Sequence, residues 1–268
     1  MDLTFPNNLV TLASEDKVCR TLGIKFITSP EIVYIARNAG FHALFIDLEH
    51  SSLSLDTACR LSVAAMNAGL SPFVRVPGQA GPGVIQRVLD NGAQGVIVPH
   101  VDRVEQALSA VNAAKYPPLG KRSVTGMLPH IGYRAASIAD VSAVGNTRLS
   151  TVIVMIESPE AVANVDAIAA VEGVDVVLVG TNDLSIELGV AGDFDAPSFV
   201  ESMEAVAAAV KKHGKILGVA GIYNRADLLR DYIQRLGARF VVGQVDLSMV
   251  AKVAGATAAE LGSLENTV

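Results

Sequence analysis

The sequence predicts an α/β fold, a single (β/α)8 TIM barrel formed by the whole of residues 1–268, and three observations carry that expectation. Short apolar runs rich in Val, Ile and Phe recur roughly every 20 to 30 residues. Between most of them lies an Ala-rich, helix-period segment of about 10 to 15 residues. Such runs number eight, in a chain of the size typical for that closed barrel. An open doubly wound sheet is the alternative arrangement of the same units.

In chain order, the expected strands are residues 22–26, 43–47, 73–76, 95–99, 151–156, 175–179, 216–219 and 240–242. Most are apolar on both faces, as parallel strands covered by helices should be, for example Val96-Ile97-Val98 and Val176-Val177-Leu178-Val179. Helix signals fall in the gaps. Ser29-Pro30-Glu31 opens one helix, and Ser158-Pro159-Glu160 opens another with Ser as N-cap and Pro in the first helical position. Gly40, Gly69, Gly92 and Gly237 follow expected helix C-termini, and His213 before Gly214 reads as a helix C-terminal residue. A long irregular stretch, 116–146, separates the fourth and fifth strands, and long loops in compact domains are commonly functional or mobile. Within it, His130 and Arg134 read either as substrate-reaching or as solvated loop residues.

Composition removes several classes. Lys and Arg total 21 against 27 Asp and Glu, a net charge of −6, and no basic stripe with interleaved aromatics occurs, so nucleic acid is not an expected partner. The longest stretch free of charged residues, 61–74, falls short of the ~20 apolar residues of a membrane span. Cys19 and Cys59 sit in no metal or redox spacing, and Asp2, Glu15 and Asp16 do not fit the basic-then-apolar layout of a signal peptide. The expected location is the cytoplasm.

In a parallel barrel, chemistry collects where the strands end. The second strand runs into Asp47-Leu48-Glu49-His50, the third carries Arg75, the fifth leads to Glu157, and the sixth is followed by Gly180-Thr181-Asn182-Asp183. Glu157 and Asp183 lie one βα unit apart, which directs both carboxylates to one point. That pattern suits a hard divalent ion, Mg²⁺ or Mn²⁺, with oxygen ligands and waters. The same residues also suit helix caps. His50 is open to three roles: general base, ligand, or surface turn residue. Arg75, inside an apolar strand, requires an anion, either an internal carboxylate such as Asp47 or a substrate. Asp90 reads locally as a surface residue near a helix C-cap. Gly78, Gly81 and Gly83 run as GxxGxG, not as the dinucleotide-binding GxGxxG.

The segments 41–50 (FHALFIDLEH), 73–77 (FVRVP), 115–122 (KYPPLGKR) and 172–184 (EGVDVVLVGTNDL) resemble, in the same order, the HpcH/HpaI family. These are metal-dependent class II pyruvate aldolases related to 4-hydroxy-2-oxoheptanedioate aldolase and 2-dehydro-3-deoxyglucarate aldolase. The resemblance covers residues 22–250 and implies a (β/α)8 barrel whose last helix is exchanged between neighbours in a homo-oligomer, a hexamer or trimer. It implies that Glu157 and Asp183 hold a divalent cation, with Mg²⁺, Mn²⁺ and Co²⁺ as candidates. A pyruvate-type 2-oxo acid would chelate that ion, with its carboxylate received by backbone amides around Asn182 and Asp183, and Gly180 and Thr181 beside it. By the same carry-over, Arg75 stabilises the enolate oxygen, and His50, paired with Asp90, does acid–base work through a metal-bound water. Asp47 would orient Arg75 or His50.

The reaction so implied is a carbon–carbon lyase step, the reversible cleavage of a 4-hydroxy-2-oxo acid to pyruvate, or a close 2-oxo acid, and an aldehyde. Alternatives keep the enolate and change its fate, by oxaloacetate decarboxylation or condensation with another electrophile, or leave a non-catalytic barrel that binds 2-oxo acids. Three substrate-facing positions depart from the family pattern: Met155 stands where Gln is common, Thr181-Asn182 replaces Pro-Ala or Pro-Ser, and Ala220 replaces larger side chains. Ala220 points to a roomier aldehyde pocket. The segment 125–134 (TGMLPHIGYR) departs as well. Lys25 and Lys215 are placed at strand starts or interiors, which leaves a Schiff-base mechanism without an obvious nucleophile.

Overall fold

The computed structural model describes residues 5–78 and 80–265. Among them, eight parallel strands close into a barrel in sequence order, β1 (Cys19–Ile24), β2 (Ala43–Asp47), β3 (Ser71–Arg75), β4 (Gly95–Val98), β5 (Thr151–Ile156), β6 (Val176–Gly180), β7 (Ile216–Ala220) and β8 (Ala238–Val245), with β8 returning to β1. Outside it lie α1 (Asn8–Ser14), α2 (Glu31–Asn38), α3 (Leu55–Asn67), α4 (Pro82–Asp90), α5 (Val104–Ala114), α6 (Ile138–Arg148), α7 (Pro159–Ala170), α8 (Thr181–Glu187), α9 (Pro197–Lys212), α10 (Ala226–Gln234) and α11 (Asp246–Glu265). The expected eightfold barrel is what forms.

Strand periodicity divides the core into two shells. Leu44, Ile46, Val74, Val96, Val154, Ile156, Val177 and Val179 point outward and pack with the helices. Their neighbours Phe45, Phe73, Ile97, Ile153, Met155, Leu178 and Phe240 point inward and fill the barrel. Phe73 and Phe240 meet edge to face across the interior, with ring centroids 5.5 Å apart. Each such side chain, fully buried, contributes about 1.5–3 kcal/mol.

The expected bounds of the second and fifth strands hold to the residue. The first strand lies earlier than 22–26 and ends at Ile24, so Lys25 stands just past a strand end and not within a strand. Ser158 caps α7 by accepting from the Ala161 N–H, and Gly40, Gly69, Gly92 and Gly237 all take positive φ directly after or near helix ends. His213 is the C-cap of α9.

Two elements escape the sequence reading. Helix α1 seals the N-terminal mouth, with Leu9 fully buried in the inner shell and the Asn7 side chain donating to Thr151 Oγ1 at 2.9 Å. The stretch 116–146 is not irregular throughout. Helix α6 takes up its end, capped by Ser137, and Tyr116, Leu128, Ile131 and Val141 form a small core of their own. Because this segment joins a helix to the next strand, it lies at the N-terminal end of the barrel, away from the expected chemistry. His130 is buried there with one ring nitrogen 2.9 Å from Ala93 O, and burial pushes its pKa down to about 4. It is neither a solvated loop residue nor a substrate contact. No helix among the described residues is long and apolar enough to cross a membrane.

Candidate active site

The period-two column that fills the barrel also builds its mouth. One inward position beyond Phe45 stands Asp47, beyond Phe73 stands Arg75, beyond Met155 stands Glu157, and beyond Leu178 stands Gly180. Charged or side-chain-free residues thus replace apolar ones at the strand ends. With Lys25, His50, Thr181, Asn182, Asp183, Ala220 and Tyr223 they line a cavity of about 290 Å³.

Asp47 and Arg75 are directly opposed in the β2–β3 ladder. Arg75 Nε donates to Asp47 Oδ1 at 2.9 Å and Nη2 to Oδ2 at 2.6 Å, while Nη1 lies 3.0 Å from Glu49 Oε2. Asp47 Oδ1 also accepts the N–H groups of Glu49 and His50. Burial alone would raise the Asp47 carboxyl, but the Arg75 hydrogen bonds and charge, with those two N–H groups, hold it below the usual range. Two of the five guanidinium donors are thereby engaged in hydrogen bonds, both to Asp47, and Nη1 pairs with Glu49 Oε2 by charge alone, so donors remain for a ligand. The internal carboxylate and the anionic substrate are therefore compatible partners of one Arg75, not alternatives.

Glu157 is buried, and its Oε2 accepts the His100 N–H at 2.9 Å. Its Oε1 has no hydrogen-bond partner among the described residues. Burial, with a further contribution from the Asp183 charge, pushes its pKa up to about 7 against the opposing pull of His100 and Arg75. Gly180 is required beside it, because a Cβ there would overlap the Glu157 carboxyl group. Asp183 sits in the first turn of α8, behind Gly180 as the N-cap, so neither acid is itself a helix cap.

A divalent ion fits this pair. A buried carboxylate oxygen without a partner, a second carboxylate on the same cavity and the absence of thiols from its lining make a hard, oxygen-only donor set. Among the described residues no group of three or more His, Cys, Asp or Glu side chains closes a full cage, so water or substrate oxygens would complete the coordination.

The remaining expected residues separate. Met155 is buried as the floor under Glu157, and Ala220 faces Gly180 across the β6–β7 ladder. Thr181 is buried and donates to Ala220 O at 2.9 Å, whereas Asn182 is exposed at the rim. His50 is 55% exposed, with Nε2 3.7 Å from Glu49 Oε2. The pairing of His50 with Asp90 is not made within the protomer. Asp90 ends α4 at the opposite end of the barrel, where it accepts from Arg122 Nη2 at 2.6 Å. That arginine, buried and stacked on Tyr116 at 4.6 Å, needs the charge.

Four site residues were not singled out by sequence. Glu49 was quoted only as part of its motif. His100, just past β4, bridges Glu49 Oε1 at 3.4 Å and Glu157 Oε2 at 3.5 Å, and the strand-end rule applied to the fourth strand reaches it. Tyr223 lies beyond β7. Asp246, beyond β8, is buried and accepts four backbone N–H groups, those of Lys25, Phe26, Ile27 and Leu247, at 2.7 to 3.1 Å.

A closed parallel barrel that gathers an orphaned buried carboxylate, a second acid and a carboxylate-locked arginine at its strand ends has the make-up of an ion-assisted carbon–carbon lyase. The HpcH/HpaI aldolase/citrate lyase family profile matches residues 26–252, and the chain belongs to that family. It is 45% identical over 263 residues to 4-hydroxy-4-methyl-2-oxoglutarate aldolase tasA of Hapsidospora irregularis, covering 98% of this chain and 97% of that one. It is 38% identical to 5-keto-4-deoxy-D-glucarate aldolase of Klebsiella pneumoniae, over 79% of this chain and 80% of the relative. The HpcH/HpaI aldolase structure from Desulfitobacterium hafniense superposes with a TM-score of 0.87 at 30% identity, over 97% of each chain.

Proposed function

We propose that this protein is a divalent-metal-dependent pyruvate aldolase that reversibly cleaves 4-hydroxy-2-oxo acids, with 4-hydroxy-4-methyl-2-oxoglutarate as its first candidate substrate. The observation that carries the reading is the placement of Glu157 Oε1, buried and without a partner, on the same small cavity as the locked guanidinium of Arg75. An ion held by Glu157 and Asp183, Mg²⁺, Mn²⁺ or Co²⁺, would polarise the 2-oxo carbonyl and acidify the carbon beside it. Arg75 presents N–H donors not bound to Asp47 to the 2-oxo oxygen and stabilises negative charge as it develops there. Backbone N–H groups in the first turn of α8 receive the substrate carboxylate.

His50, at the rim beside Glu49, takes the C4 hydroxyl proton. As that proton leaves, the C3–C4 bond breaks, its electron pair passes toward the 2-oxo oxygen, and the His50 imidazolium returns the proton, directly or through a water, to C3, which becomes a methyl group. For 4-hydroxy-4-methyl-2-oxoglutarate the products are two molecules of pyruvate. Met155 shapes the apolar floor, and the small Ala220 leaves width for the C4 substituents.

Exchange of pyruvate methyl protons in deuterated water, followed by NMR with Mg²⁺, Mn²⁺ or chelator, tests the reading. The expected result is ion-dependent exchange that is lost in Glu157→Ala, together with two pyruvates released per substrate cleaved. Exchange that survives both the chelator and Glu157→Ala would overturn it.

The assembly we propose is a homo-oligomer in which α11 packs against a neighbouring copy. Leu247, Met249, Val250, Val253, Leu261 and Leu264 on that helix are exposed, more apolar surface than a free helix normally presents. A molar mass by light scattering that equals one chain would remove this part of the proposal. Both cysteines are free thiols, which supports the cytoplasm as the location.

A further inference from the structure

Lys25 is the charged residue of the cavity wall that the catalytic reading leaves without a task. It follows β1, and in a closed eight-stranded barrel that strand stands across from β5, which carries Glu157. A substrate anchored by its 2-oxo acid end at Glu157 and Asp183 therefore extends its far end toward Lys25. The ammonium lies 3.5 Å from Asp47 Oδ2, longer than a charge-assisted hydrogen bond, and the side chain is 27% exposed. Asp47 does not depend on it, since both its oxygens are already served by Arg75 and two backbone N–H groups. The position of Lys25 is also fixed from behind, because Asp246 holds the N–H groups of residues 25, 26 and 27.

We infer that Lys25 Nζ binds the carboxylate at the far end of the substrate, the one that becomes the carboxylate of the acceptor carbonyl compound, and so selects dicarboxylic 4-hydroxy-2-oxo acids. The inference rests on the aldolase reading. Both curated relatives described above are named for dicarboxylates, and Lys25, which shares Asp47 Oδ2 with Arg75, supplies a second cation on the same cavity for the second anion. Val242 and Val245 beside it offer apolar surface to a methyl group on the same carbon.

The test compares cleavage of 4-hydroxy-4-methyl-2-oxoglutarate with that of 4-hydroxy-2-oxopentanoate, which carries hydrogen in place of the far carboxylate. Pyruvate release is measured for the wild type, Lys25→Met and Lys25→Arg. The expected wild-type preference in kcat/KM for the dicarboxylate falls about 30- to 100-fold in Lys25→Met, mainly through KM, and is largely kept in Lys25→Arg. Equal losses on both substrates would overturn the inference, as would a preference unchanged in Lys25→Met. If the wild type neither cleaves either compound nor exchanges the pyruvate methyl protons, it is the aldolase reading that fails.

Discussion

Asp47 and Arg75, opposite one another on adjacent strands, are joined by two hydrogen bonds of 2.9 and 2.6 Å that hold the guanidinium plane fixed at the barrel mouth. Asp47→Ala removes that fork while Glu49 retains part of the pairing. The expected loss is about 10- to 100-fold in kcat, larger than the change in KM, because orientation of the arginine matters most as charge builds on the substrate. Arg75→Lys, which cannot form the fork, is expected to lose about 100-fold or more. Steady-state kinetics on the cleavage reaction check both.

Ion binding should depend on pH through Glu157. Its carboxyl holds a proton up to about pH 7 in the ion-free protein, and the ion must displace that proton. Apparent Mn²⁺ affinity, read by calorimetry, is expected to be flat above pH 7 and to fall roughly tenfold per unit below it. Glu157→Gln should abolish the binding.

The same group sets a stability trend with the opposite slope. A carboxyl raised above its unfolded value keeps its proton in the folded chain after the unfolded chain has released it, so folding is disfavoured as pH climbs from the ordinary carboxyl value of 4.5 to about 7. The contribution of Glu157, taken as wild type minus Glu157→Gln in ion-free buffer, should therefore decline across that window in thermal melts. Added divalent ion should reverse the decline.

Gly180→Ala places a methyl group where the Glu157 carboxyl lies. The barrel is expected to fold with a loss of about 1–3 kcal/mol, and ion affinity to fall because the carboxylate must swing away. Melting curves and ion titration separate the two effects.

Asp90→Ala leaves the Arg122 charge buried without its partner, and a loss of about 3 kcal/mol is expected. The double variant Asp90→Ala, Arg122→Met should recover much of it. Additive losses in the unfolding free energies would show that the two groups do not act as a pair.

The barrel was legible because its strands are short apolar runs whose ends are marked by charge, as at Asp47 and Glu157. Asp183 was legible as a site residue for the same reason. The end of β1 was not, because Ile24, Phe26 and Ile27 continue an apolar pattern that only a carboxylate from the far end of the chain interrupts. That misplacement also hid Lys25. For Asp90 the likeness and the chain order point to different places: the order helix, Asp90, strand puts it at the end of its own barrel opposite His50, so the implied pairing is not made within one protomer. Helix α1 lacks the length for a periodic signal, and its role comes from the tertiary plug that Leu9 makes.

Asp246 gives the outermost helix and the mouth of the barrel a common origin. The carboxylate that begins α11 fastens the turn bearing Lys25, so whatever fixes the direction of that helix also fixes where the ammonium stands. If α11 packs on a neighbouring copy as proposed, discrimination between substrates becomes a property partly owned by that copy. Dilution that separates the copies should blur substrate choice while the eight-stranded core stays intact.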